Sequence, residues 1–255
     1  MSQTSNPAER LHDALQSVRT AHFDAAGRAG DYVALRRVEN ARHLEAAVAA
    51  LADFDPRSLP ISAPIAFWLN AYNATVVLAA RGCAPGEPVS GIPGLFDRPR
   101  LTIAGQAFAL DEIEHGLLRG NAPKYGRWSG PFARGDPRLA FTPRLYDERV
   151  HFALFSACRS SQALRVFSPE SQGDQLEAAV RGCVQHEVRV AEDGAWIEVP
   201  RLFKWYPGDF GGDAGVVSFV LGRVDDDAVV DRVDARRGDV KLVYRPFDWT
   251  LNQRA

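Results

Sequence analysis

The sequence is poor in cysteine: Cys83, Cys158 and Cys183 are the only three in 255 residues. An odd number at wide spacing makes neither a disulfide framework nor a zinc motif. Reduced thiols in a cytoplasmic protein fit this usage. A long hydrophobic run is also missing. The most apolar stretch, Ile65 to Ala80, carries Asn70 and Asn73 and is too short and too polar to span a bilayer. The opening residues, MSQTSNPAERLHDALQ, lack the basic start, apolar centre and small-residue cleavage site of a secretory signal. A soluble, cytoplasmic chain with no membrane span is therefore expected. No sign of charge dominates: the formal net charge is -2, and Lys and Arg are scattered rather than striped. That gives no nucleic-acid footprint. The one like-charge run, Asp225 to Asp227, reads as a solvated loop. There is no G-x-G-x-x-G, P-loop, H-E-x-x-H or G-x-S-x-G motif, so no cofactor and no metal is implied.

What is present is a globular composition, 46% hydrophobic and 24% charged. The length allows one large domain or two small ones. Residues 8–22 and 32–52 have helical periodicity, with Gly27, Gly30 and Asp31 marking the turn between them. Residues 82–100 form a Pro/Gly-rich loop, and Leu101 to Leu110 alternates around Ala104-Gly105 like a hairpin. Residues 120–146 have no clean period and read as a long loop packed by its aromatics or as a functional excursion. Val150 to Phe155 resembles a buried strand. Residues 169–186 suggest an amphipathic helix with Leu176, Ala179, Val180 and Val184 inward, followed by a hairpin at His186 to Val199. Val216 to Leu221 fits a helix or a strand, and Val240 to Tyr244 a last strand. Without regular βαβ alternation, the fold class is α+β: a helical N-terminal region and a buried central helix packed with short hairpins and strands.

Five segments could carry chemistry. Ile65 to Val77 is apolar on nearly every face, so it belongs in the core, with Pro64 in its first turn and Ser62 as its cap. Asn70 and Asn73 share one face of it. They either tie down irregular backbone of the 82–100 loop or form the floor of a polar pocket. In Leu110 to Gly120, Asp111 and Glu114 have capping-box spacing and Gly120 suits a C-terminal cap. His115 and Arg119, four apart, share a face, and His115 could transfer protons near neutral pH or be structural. In Asp147 to Ser161, His151 heads the apolar run, and Ser156, Cys158, Ser160 and Ser161 crowd the turn after it. Cys158 beside Arg159 is either a lowered-pKa thiol or an inert buried one. Leu202 to Gly212 is aromatic and reads mainly as core. Tyr244 to Asn252 places Asp248 and Asn252 around Trp249, as a polar clasp for the C-terminus.

In this order the segments resemble the DUF547 family, a domain of unknown function. Its patterns include A-F-W-I-N-x-Y-N-A, S-L-D-D-I-E-H-x-I-L-R, D-P-R-I-H-F-A-L-N-C-x-x-x-S-C-P, F-K-W-Y-x-x-D-F and Y-D-W-x-L-N. Here they read Ala66 to Ala74, Ala109 to Arg119, Asp147 to Ser161, Phe203 to Phe210 and Phe247 to Asn252, with Gly30-Asp31-Tyr32 and Leu35 before them. The resemblance runs from about residue 27 to 252. It implies one family domain over 27–255 behind an N-terminal helical extension, residues 1–26. It also implies a shared pocket of Asn70, Asn73, Glu114, His115, Arg119 and His151. Alignment on H-F-A-L puts Ser156 and Ser161 where the family pattern has its two cysteines, with Cys158 between them.

Two functions follow from these residues. One is a hydrolase or acyl-transfer enzyme with Ser161, Ser156 or Cys158 as nucleophile, His151 or His115 as base, and the Asn amides and Arg119 at a developing oxyanion. The other is a non-catalytic binding or scaffolding module that has lost the family's thiols. In either case the partner expected is a small molecule or a protein.

Overall fold

The computed structural model describes residues 6–236 and 238–254. It is an α+β protein whose chain divides into two compact units, Met1–Gln175 with Asp248–Ala255, and Leu176–Phe247.

The first unit is built around three packed helices: α1 (Pro7–His22), α3 (Val38–Ala49) and α4 (Pro64–Ala80), with the single turn α2 (Tyr32–Leu35) between the first two. Asn6 caps α1 by accepting from the Ala8 and Glu9 amides, and Glu9 returns a bond to the Asn6 amide. Leu11, Leu15 and Val18 then line its buried stripe. The predicted helix over 32–52 is interrupted at Arg36 and Arg37 and ends in a 3-10 turn at Ala50–Asp53. Helix α4 is buried on every face from Ala66 to Val77, as its sequence requires. Its cap differs from expectation: Ala63, not Ser62, stands at the N-cap and supplies no side-chain bond, while Gln172 Oε1 accepts from the Ala66 amide at 3.0 Å.

Strands β1 (Pro99–Ile103) and β2 (Gln106–Ala109) make the predicted hairpin, with Leu101 opposite Phe108. Ala104 and Gly105 both have positive φ, 50° and 71°, which matches the twist of a two-residue hairpin. Their amides donate to Leu51 and Ala52 carbonyls, holding an alanine where glycine is commoner. The 120–146 excursion is only partly packed by its aromatics: Phe132 and Phe141 are buried, whereas Trp128 is fully exposed.

One local device recurs three times. Asp55, Asp136 and Asp147 each accept from the amide two residues on and pair with that residue's guanidinium, Arg57, Arg138 and Arg149. Each starts a 3-10 turn: Pro56–Ser58, Pro137–Phe141 and Glu148–Phe152. The third corrects the strand expected at 150–155. His151 sits within the 3-10 turn, because the Asp147 cap curls the chain locally before any strand partner is reached.

The second unit holds most of α5 (Gln172–Glu187), whose buried side chains are Leu176, Ala179, Val180, Cys183 and Val184. The hairpin β3 (Arg189–Val190) and β4 (Trp196–Val199) follows, then α6 (Leu202–Trp205), α7 (Gly212–Leu221) and α8 (Asp227–Asp234). The chain returns in β5 (Lys241–Tyr244), parallel to β4 with Ile197 opposite Leu242. Phe203, Phe210 and Phe219 form an aromatic cluster with centroids 4.7–6.0 Å apart, consistent with core. The acidic run is exposed but is no featureless loop: Asp226 caps α8 and Asp225 accepts from Arg181 and Gln185.

Candidate functional site

Three polar clusters of the first unit contain most of the residues singled out from sequence. The first hangs from α4. Asn70 pairs with Phe167 through both ends of its amide: Nδ2 donates to the Phe167 carbonyl at 2.8 Å and Oδ1 accepts from its amide at 2.9 Å. Asn73 accepts from the Phe155 amide at 2.9 Å and donates to the Ala153 carbonyl at 3.0 Å. Both side chains are buried. The amides thus pair with the main chain of an irregular segment, but that segment is 153–167 and not the 82–100 loop. The same stretch is anchored at Gly27, whose φ is +76°: a Cβ there would collide with the Leu164 carbonyl, and the Leu164 amide donates to Gly27 at 2.7 Å.

The second cluster is the turn that Asn73 holds at its entrance. Ala157 is left-handed, with φ of 57°. Ser161 Oγ accepts from the Ser156 amide at 2.8 Å and donates to the Gln162 carbonyl at 2.9 Å, so its proton and one lone pair are engaged by backbone. The Ser156 hydroxyl, half-buried, has no hydrogen-bond partner among the described residues. Cys158 is 1% exposed, and burial pushes its thiol up to about 12, against the lowering pull of the Ser160 and Ser161 amides. All three cysteines are free and buried.

The C-terminal segment stitches this turn in place. The Arg159 and Ser160 amides donate to Thr250 and Asp248 carbonyls, and the Asn252 amide donates to the Ala157 carbonyl. Asn252 Oδ1 accepts from the Tyr32 hydroxyl at 2.8 Å, and its Nδ2 donates to the Arg28 carbonyl. The first and last motifs of the family pattern therefore meet.

The third cluster lies on a π-helix, Glu112–Leu118, where the Arg119 and Asn121 amides donate five residues back, to Glu114 and Gly116. The expected capping box is not formed. Asp111 is helical and pairs with Lys124 at 2.8 Å, while Glu112 accepts from the Ala109 amide and pairs with Arg138. Gly116 permits the close packing, since a Cβ there would collide with the Phe132 ring. Gly120 ends the turn with φ of 61°, as its position suggests. His115 and Arg119 do meet: Arg119 Nη1 lies 3.1 Å from His115 Nδ1 and donates to the Pro123 carbonyl at 2.9 Å. A guanidinium only donates, so Nδ1 accepts and the imidazole carries its proton on Nε2, which lies 3.7 Å from Asp111 Oδ1. Glu114 Oε1 is 3.7 Å from Nδ1. His151 is buried in its 3-10 turn. Among the described residues, no group of three or more His, Cys, Asp and Glu is arranged to hold a metal ion, and no helix is long and apolar enough to cross a membrane.

Sequence reasoning missed Gln172 as the cap of α4, and Lys124 and Arg138 as the partners of the π-helix carboxylates. The D-x-R spacing is a readable signal for the local Asp136–Arg138 pair, not for the bond to Glu112. Lys124 and Gln172 had none, because both pairings are set by tertiary structure.

Fold and clusters define an α+β protein with polar groups built into a largely apolar helical core. Residues 56–182 match the model of the family described as Protein of unknown function, DUF547, and the chain belongs to that family. The motifs at 30–35, 203–210 and 247–252 lie outside the matched stretch. No curated protein and no solved structure matches the chain.

Proposed function

We propose that this chain is a non-catalytic binding module, taking a small molecule or a protein as its partner. The observation that carries the reading is the chemistry of the turn at 156–161. Its thiol stays protonated and shielded, and Ser161 donates its proton to a backbone carbonyl. A nucleophile needs the thiolate, or a hydroxyl whose proton an adjacent base can take. His115 also has its Nδ1 lone pair committed to Arg119. The three free cysteines support a reducing, cytoplasmic setting.

The acyl-transfer reading keeps one specific support, the unpartnered Ser156 hydroxyl beside left-handed Ala157, at a position where the family pattern has cysteine. Fluorophosphonate and iodoacetamide labelling of the native chain, mapped by mass spectrometry, separates the two. The module reading expects no native adduct on Ser156 or Ser161, and adducts on Cys158 only after denaturation. A stoichiometric native adduct on Ser156, lost on unfolding, would establish an activated serine and overturn it.

A further inference from the structure

A cavity of about 260 Å3 opens on the first unit between the Pro56–Ser58 turn, the segment leading into α4, and the chain just after Phe141. Leu59, Ile61, Pro64, Phe141 and Pro143 supply apolar wall, and Arg57 and Arg144 also line it. Arg57 spends Nε and Nη2 on Asp55, leaving Nη1 without a partner among the described residues, and its guanidinium stands 5.6 Å from the Phe141 ring. Arg144 is exposed and has no hydrogen bond or ion pair among the described residues. Pro64, the first residue of α4, brings that helix's positive end to the wall, and no acidic side chain stands in its first turn. Asp55 balances Arg57, so Arg144 and the helix end leave a net positive field. Thr142 also lines the cavity, and its Oγ1 is buried with no partner among the described residues. Apolar wall, two guanidinium groups with unspent donors and a positive field together select an anion with an apolar body.

We infer that this cavity binds a small apolar carboxylic acid of benzoate size, its carboxylate held by Arg144 and Arg57 Nη1 and its body lying against Ile61 and Leu59. The volume, just under the ~300–1,000 Å3 of drug-sized sites, sets that limit. The inference supplies a ligand class for the binding-module reading, yet it rests on that reading only for its biological sense. The cavity would take its ligand whether or not Ser156 reacts.

The test is calorimetric titration of the whole chain with sodium benzoate, with benzamide and inorganic phosphate as controls lacking the charge and the apolar body. Benzoate should saturate one site with Kd on the order of 1 mM, and each control should bind about tenfold more weakly. Arg144→Gln and Ile61→Ser, both at exposed side chains, should each weaken benzoate several-fold with the melting temperature unchanged. Absence of saturable binding up to about 20 mM, equal affinity for benzamide, or indifference to both variants would each overturn the assignment. Serine labelling reads the other site, so failure of one reading is distinguishable from failure of the other.

Discussion

Replacing Asn73 by leucine tests the first unit where α4 is bonded to the segment that follows the Glu148–Phe152 turn. Asn73 is fully buried and holds the Phe155 amide at 2.9 Å and the Ala153 carbonyl at 3.0 Å, with a longer contact of 3.4 Å to the Arg165 carbonyl. Leucine is close in shape but offers no polar atom, so the Phe155 donor and Ala153 acceptor are stranded out of reach of water. Each stranded group costs about 1–3 kcal/mol, and the added apolar side chain returns about 1 kcal/mol. For the two groups together the net is a loss of about 1–5 kcal/mol. With a urea slope of about 2–3 kcal/mol/M for a chain of this size, the unfolding midpoint should fall by about 1 M. Asn70→Leu should behave alike, since it strands both backbone groups of Phe167. Urea titrations followed by far-UV circular dichroism give the midpoints, and an unchanged midpoint in both variants would refute the backbone-pairing role of these amides.

Thr142→Val removes a buried hydroxyl that has no partner among the described residues, so it should leave the melting temperature unchanged or raise it by a few degrees, about 1 kcal/mol. A clear drop would mean that the hydroxyl is bonded in solution. Tyr32→Phe deletes the bond to Asn252 and strands a buried acceptor, with an expected loss of about 1–2 kcal/mol and faster proteolytic trimming of the last residues. Equal trimming rates would deny the clasp. The Cys158 thiol titrates at an ordinary value of 9.0 when unfolded and near 12 when folded, so the folded state holds its proton more tightly. Its contribution is complete below pH 9 and is lost as pH rises towards 12. Cys158→Ser should flatten that alkaline decline in stability, and an identical decline would assign it to other groups.

Much of the fold was legible in both units because its signals are local. Apolar periodicity found α1, α4 and α5, and alternation found both hairpins. The burial of Asn70 and Asn73 followed from an apolar helix with two amides on one face. Their partners did not follow, since nothing in a helix's period says which of several irregular segments lies against it. The run at 150–155 differs from its expected strand because a short, mostly apolar stretch fits strand and buried turn equally, and a two-residue Asp147 to Arg149 contact decides it. The π-helix was invisible for a similar reason: one extra residue in a turn leaves Ile113 and Leu117 inward and His115 beside Arg119, as an α-helix would. Capping-box spacing at Asp111 and Glu114 then pointed to a bond that the tertiary partner Lys124 replaced.

The clasp around Asn252 has a consequence for how this protein is made. Residues 28–32 and the turn at 157–160 are synthesised early, but their hydrogen-bond partners arrive only when residues 248–254 emerge, after the whole Leu176–Phe247 unit. At about 5–20 residues per second, that interval lasts several seconds on the ribosome. During it, the Ala157 carbonyl and the Tyr32 hydroxyl lack the bonds that Asn252 supplies. The first unit can therefore complete its hydrogen bonding only after the inserted unit has been translated.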